Sequence, residues 1–167
     1  MANRISIPSG LQATAVITGS FLSGAMMSLS LTTIPLFLDT NTQSAHMLSQ
    51  WVRLYHYGHL LLPSMAVATC LIYGYLVFSK RASGKPWIIY AVAGAVTVTM
   101  IPFTWIVMVP TNNTLFRLND EIKVAVPALD HVRELVKGWG RLHAFRSLFP
   151  LVGAILGFSG LLNNIAI

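Results

Sequence analysis

Charge is scarce in this sequence. Asp, Glu, Lys and Arg supply 10% of its 167 residues, and only five residues are acidic. There is one cysteine, Cys70, so no disulfide framework can form within the chain. Cys70 falls in an apolar run and reads as a small buried residue. The net charge of +6 does not point to nucleic acid, because the basic residues are few and flank apolar segments. No internal repeat or low-complexity tract is visible.

Apolar residues fill the space that charge leaves. They make up 54% of the chain, and the mean hydropathy is +0.66. A helix crosses a hydrocarbon core of about 30 Å with roughly 20 apolar residues. Four runs meet that length: Leu11 to Leu38, Trp51 to Phe78, Trp87 to Val109 and Leu142 to Leu162. None holds an Asp, Glu or Lys. The first run is too long for a signal peptide, has only Arg4 on its flank, and lacks a clean small-residue cleavage site. The expected fold is all-α: one integral membrane domain over residues 1–167, built as a four-helix transmembrane bundle.

Between the third and fourth runs lies ALDHVRELVK. It places Leu129, Val132, Leu135 and Val136 on one helical face and Asp130, Arg133, Glu134 and Lys137 on the other. An amphipathic segment is expected there, lying on the membrane surface or leading into helix four, with Gly138 and Gly140 as a joint. In helix one, Gly19, Ser20, Ser23 and Gly24 form a small-residue stripe suited to close helix packing, and Pro35 is expected to end or kink the helix. That stripe would also serve a scaffold partner, and a homo-oligomer is a further expectation.

The polar exceptions are not scattered. Arg53, His56 and His59 open the second run, PTNN closes the third, and WGRLHAFR opens the fourth. In an up-and-down bundle these segments share one membrane side. Trp139, His143 and Arg146 form one helical stripe, and Trp51, Tyr55 and His59 form another, with His56 at its border. Two such stripes facing each other would make an aromatic-walled pocket with imidazoles from both sides, capped by Pro110, Thr111 and Asn112. Ionisable residues inside a membrane are costly unless paired or used. Blander roles compete: aromatic residues at helix ends form interfacial belts, Arg53 and Arg141 snorkel to headgroups, and Pro110-Thr111-Asn112 serves as a helix stop. Asn112 also opens an N-N-T sequon, but its closeness to the membrane argues against modification.

The segments RLYHYGH, IPFTWIVMVPTNNTL and KGWGRLHAFRSL closely resemble the anthrone oxygenase-like family of small four-helix membrane proteins. The resemblance covers the chain from about Trp51 onward; helix one is similar only in character. It implies oxidation of an anthrone to an anthraquinone with molecular oxygen in aromatic polyketide biosynthesis, with no organic cofactor. The matching motif residues are Tyr55, Pro110, Thr111, Asn112, Trp139, His143 and Arg146. For that chemistry His143 is the candidate base, Arg146 and Asn112 the candidate oxyanion holders. Trp139, Tyr55, His59, His56, Trp51 and Thr111 are candidates to bind the flat substrate. The rival readings are a haem or His-bound metal linking His56 or His59 to His143, a non-catalytic membrane scaffold, and a transporter; broken helices or mid-membrane charges that would mark the last are not evident.

The short second loop carries Lys80, Arg81 and Lys85 without an acid, whereas all five acids lie in the other two connections. Short basic loops stay in the cytoplasm, which also places both termini there. An epitope inserted between Lys80 and Lys85 is expected to stay hidden in intact cells and appear after permeabilisation; labelling from outside would reverse the orientation.

Overall fold

The structure, a computed structural model, describes residues 9–165; Arg4 lies outside them. Among the described residues there is helix and no strand. Four helices are long and apolar enough to span a membrane, the architecture of a multi-pass membrane protein. They cover Gly10–Thr40, Ser44–Ala82, Ile88–Lys123 and Leu129–Asn163, and the last continues as helix to Ile165.

These helices are longer than the apolar runs. Helix two has 39 residues, which at 1.5 Å per residue is about 58 Å, roughly twice the hydrocarbon thickness. The surplus lies at one end. There the four helices share a core of Ile34 and Phe37, Met47, Leu48 and Trp51, Met108 and Leu115, and Val132, Val136 and Trp139. The expected amphipathic segment is the first turns of helix four. Its apolar face does not lie on a lipid surface: Val132 and Val136 are fully buried in this shared core. The helix also runs through Gly138 and Gly140 without a joint. Gly140 instead admits helix one, since a Cβ there would meet Ile34 at 3.0 Å.

Two prolines lie inside helices one and three. Pro35 does not end helix one, which continues to Thr40. Pro110 does not stop helix three, which continues to Asp120 and a tight turn over Glu121–Lys123. Each proline follows a turn widened by one residue: Leu29–Thr33, closed by Ile34 N–H to Leu29 O, and Thr104–Met108, closed by Val109 N–H to Thr104 O. A proline lacks an N–H and presses on the carbonyl four residues earlier. Widening the preceding turn relieves that pressure and lets the helix go on. So Pro110, Thr111 and Asn112 form a helical turn rather than a cap.

Within the lipid-level half, small residues and interhelical hydrogen bonds hold the bundle. Half of the small-residue stripe of helix one packs on helix four. A Cβ on Gly19 would meet Ala154 Cβ and the Pro150 carbonyl at 3.4 Å, and Ser23 Oγ donates to Ser147 O at 2.8 Å. Ser20 and Gly24 are exposed. Tyr73 donates to Gly153 O at 3.1 Å and Tyr90 to Gln12 Oε1 at 2.9 Å. At the other end, Arg133 donates to the Asn41 carbonyl at 3.2 Å, fastening the turn between helices one and two to helix four. The described ion pairs, Arg133–Asp130 and Lys137–Glu134, span three residues at the surface, where such pairs add little.

Gly153 is where helices three and four approach most closely through a glycine: a Cβ would fall on the Thr97 side chain and 2.8 Å from the Ala93 carbonyl. Gly153→Ala is expected to cost about 1–3 kcal/mol by forcing that contact apart. Gly138→Ala, facing open space, should be neutral or stabilising by up to about 1 kcal/mol. Thermal unfolding of the two variants in detergent gives the comparison; equal midpoints would contradict the close-packing assignment.

Candidate functional site

Just beneath the shared core lies a cavity of about 330 Å³, at the lower end of the usual small-molecule range of roughly 300–1,000 Å³. Helix two contributes Leu54, Tyr55, Gly58, His59, Leu62 and Pro63. Helix three contributes Ile101, Thr104, Trp105, Met108, Val109 and Asn112, and helix four contributes Trp139, His143 and Arg146. Helix one closes the wall with Leu29. Its lining is mostly apolar, with a few converging polar groups.

His143 is 1% exposed. Its Nδ1 lies 3.2 Å from Ser30 Oγ, in the widened turn of helix one. The Met26 backbone also hydrogen-bonds the ring. The ring lies against Trp139, with centroids 4.6 Å apart and planes tilted by 30°. The scaffold thus orients the imidazole at the cavity wall.

Arg146, one turn further on, is 8% exposed. Its NH1 donates to Thr104 Oγ1 at 2.7 Å, in the widened turn of helix three. Its Nε is buried with no hydrogen-bond partner. No carboxylate pairs with it among the described residues. A cation buried without an anion is strongly destabilising unless an anion is supplied. The guanidinium is therefore prepared for a negative group in the cavity.

Trp139 Nε1 donates to Asn112 Oδ1 at 2.9 Å. An indole nitrogen can only donate, so this bond fixes which end of the Asn112 amide carries the oxygen. Asn112 Nδ2 is left with no described acceptor. Two donors, Asn112 Nδ2 and the Arg146 guanidinium, thus belong to the same cavity as the His143 imidazole. That set can remove a proton and hold the resulting oxyanion.

The aromatic side is continuous. Trp51 is fully buried and touches Tyr55, Phe116 and Trp139 at centroid distances of 5.5, 5.1 and 5.8 Å. Phe116 meets Tyr55 edge-on at 4.9 Å. Tyr55 stacks on His59 at 5.5 Å with planes 10° apart. Of the residues proposed from sequence, Tyr55, His59, Asn112, Trp139, His143 and Arg146 line the cavity. Trp51, His56 and Thr111 do not. Trp51 stands behind the wall, His56 is exposed, and Thr111 lies on the neighbouring helix face. Arg141 is exposed and away from the cavity. Sequence reasoning missed Ser30, Thr104 and Phe116. A signal for the first two exists: each precedes a proline of its own helix by five or six residues, where a widened turn can form, although Pro63 and Pro150 lie in their helices without one. Among the described residues no three His, Cys, Asp or Glu side chains gather as a metal-holding group.

Comparison with known proteins gives the same site a family context. A sequence profile described as anthrone oxygenase matches residues 51–156, which hold every helix-two, -three and -four residue of the cavity. The chain is 53% identical to the anthrone oxygenase AgnL2 of Paecilomyces divaricatus, over 89% of this chain and 93% of the relative. It is 52% identical to the anthrone oxygenase tpcL of Aspergillus fumigatus, over 92% and 94%. With the monooxygenase hypC of Dothistroma septosporum it shares 45% identity, over 89% and 80%. No solved structure matches it. The chain belongs to the anthrone oxygenase family.

Proposed function

We propose that this protein oxidises an anthrone to the corresponding anthraquinone with molecular oxygen, in aromatic polyketide biosynthesis, at the cavity between helices two, three and four. The observation that carries this reading is the buried His143 imidazole placed in one apolar cavity with a buried guanidinium that has no carboxylate. The relatives named for anthrone oxygenation support the substrate class.

The chemistry follows from the residues. An anthrone carries a CH₂ opposite its ring carbonyl. With Nδ1 carrying its proton toward Ser30 Oγ, His143 Nε2 accepts a proton from the CH₂. The electron pair left behind moves through the ring onto the carbonyl oxygen and makes the central ring aromatic. Arg146 and Asn112 Nδ2 hold that oxyanion, and Trp139 and Tyr55 wall the planar anion. The electron-rich anion passes one electron to oxygen, and the resulting radical pair joins to form a C–O bond. The imidazolium returns its proton to the terminal peroxide oxygen. Loss of the second hydrogen from the same carbon, with cleavage of the O–O bond, gives the quinone carbonyl and water. The balance is CH₂ + O₂ → C=O + H₂O. Because the substrate anion itself reduces oxygen, these steps call for no cofactor beyond O₂.

The membrane-like helices supply a dry site for this anion, where fixed donors act more strongly than in water. Both termini and the Lys80–Lys85 loop face the cytoplasm in this reading, which puts the cavity in the opposite half of the bilayer. The bulk partners are the lipid and a hydrophobic polycyclic substrate.

Aerobic turnover of an anthrone by the purified protein, followed as anthraquinone above the spontaneous rate, is the test. His143→Ala is expected to lose about 10² to 10⁴-fold in kcat, and Arg146→Met about 10² to 10³-fold. A chelator is expected to leave the rate unchanged. Full activity in His143→Ala would overturn the assignment of the base.

A further inference from the structure

We propose that the site is loaded sideways from the bilayer, through a portal between helices two and three at the level of His59 and Trp105. The identity of the cargo, a planar polycyclic molecule, rests on the oxygenase reading; the route rests on the geometry alone.

The end of the cavity nearest the shared core is sealed. Trp51, Met108 and Leu115 there are fully buried, and Trp139 nearly so. The flank between helices two and three is different. Trp105 lines the cavity yet is 70% exposed, and His59 also lines it while exposed. Beside them Leu60, Leu61 and Ile106 are exposed apolar side chains on faces that a membrane would cover. The opening is therefore toward lipid.

A second, shallower groove of about 410 Å³ begins at this opening. It shares His59 and Pro63 with the cavity and continues along helix two past Val67 to Leu71. One residue of the passage, Gly58, leaves room between the bulkier ones. A Cβ there would meet only Leu62 Cδ1, at 3.5 Å. His59 is fixed in place because its Nδ1–H donates to the His56 carbonyl at 2.9 Å. Its ring stacks on that of Tyr55, so an imidazole backed by a phenol stands at the rim of the cavity. Stacking on that pair suits a planar aromatic molecule better than a flexible acyl chain. That argues for substrate rather than lipid as the occupant.

The test uses the full-length protein in phosphatidylcholine vesicles and an anthraquinone fixed to the end of a phospholipid acyl chain, which cannot leave the bilayer. Irradiation makes the quinone abstract hydrogen and bond to nearby residues, which are then mapped by mass spectrometry. Labelling is expected at Tyr55 or Met108, inside the cavity, and the same anthraquinone carried on a dextran should not label them. Gly58→Leu should lower cavity labelling at least tenfold. Gly74→Leu, on the same helix at a position with open space around it, should leave labelling unchanged and serves as the folding control. Labelling confined to Val67 and Leu71 would make the groove a lipid acyl-chain site and overturn the portal. Cavity labelling by the dextran probe alone would place the route on the aqueous side and also overturn it. Turnover of free anthrone is followed in parallel: its absence would count against the oxygenase reading, while the labelling pattern would still judge the portal.

Discussion

Arg146 is buried in the bundle with one nitrogen bonded to Thr104 and another bonded to nothing. A guanidinium stays charged, so it cannot escape the cost of burial by losing its proton. Among the described residues no acid approaches it. A structure that keeps such a group must offset it elsewhere, and the long helices show how. They extend beyond the hydrocarbon and join in an apolar core next to the cavity. That core fixes the three helices that carry the polar groups, so the donors stay aimed without an ion pair to hold them. In the proposed reaction the guanidinium, which lines the cavity, faces an anion that exists only during turnover.

The two widened turns complete this arrangement. One brings Ser30 to His143 and the other brings Thr104 to Arg146. The two partners on helix four are three residues apart, on one face. Each bulge is followed by a proline whose missing N–H and ring it accommodates. The bulges thus place short hydroxyl side chains beside His143 and Arg146. They do so without the flexibility of a loop, which would be hard to satisfy at membrane depth.

The fold was readable because hydropathy alone locates helices in lipid: four apolar runs became four helices. Their ends were not readable in the same way. Helix three continues past Val109 because the Thr104–Met108 turn absorbs Pro110, and a proline in isolation signals a stop. The face of Leu129, Val132 and Val136 was recognised as amphipathic, but hydropathy cannot say whether such a face covers lipid or protein. Here it covers the other three helices. The stripe of Trp139, His143 and Arg146 was legible from spacing on one helix. What lies across from it was only partly so: Trp51 and His56 share a stripe with Tyr55, yet only Tyr55 and His59 reach the cavity. Helix rotation is set by packing, and packing is not written in the periodicity of one helix.

If the cavity works by ionising its substrate between His143 and Arg146, that ionisation should be visible when oxygen is withheld. The direct measurement is the absorption spectrum of an anthrone mixed with the purified protein under anaerobic conditions. The red-shifted band of the aromatic anion is expected with the unaltered protein, to be lost in His143→Ala, and to decay to the quinone spectrum when oxygen is admitted. No anion band with an active protein, or an equal band in His143→Ala, would contradict the assignment of this cavity as a site of base-driven oxygenation.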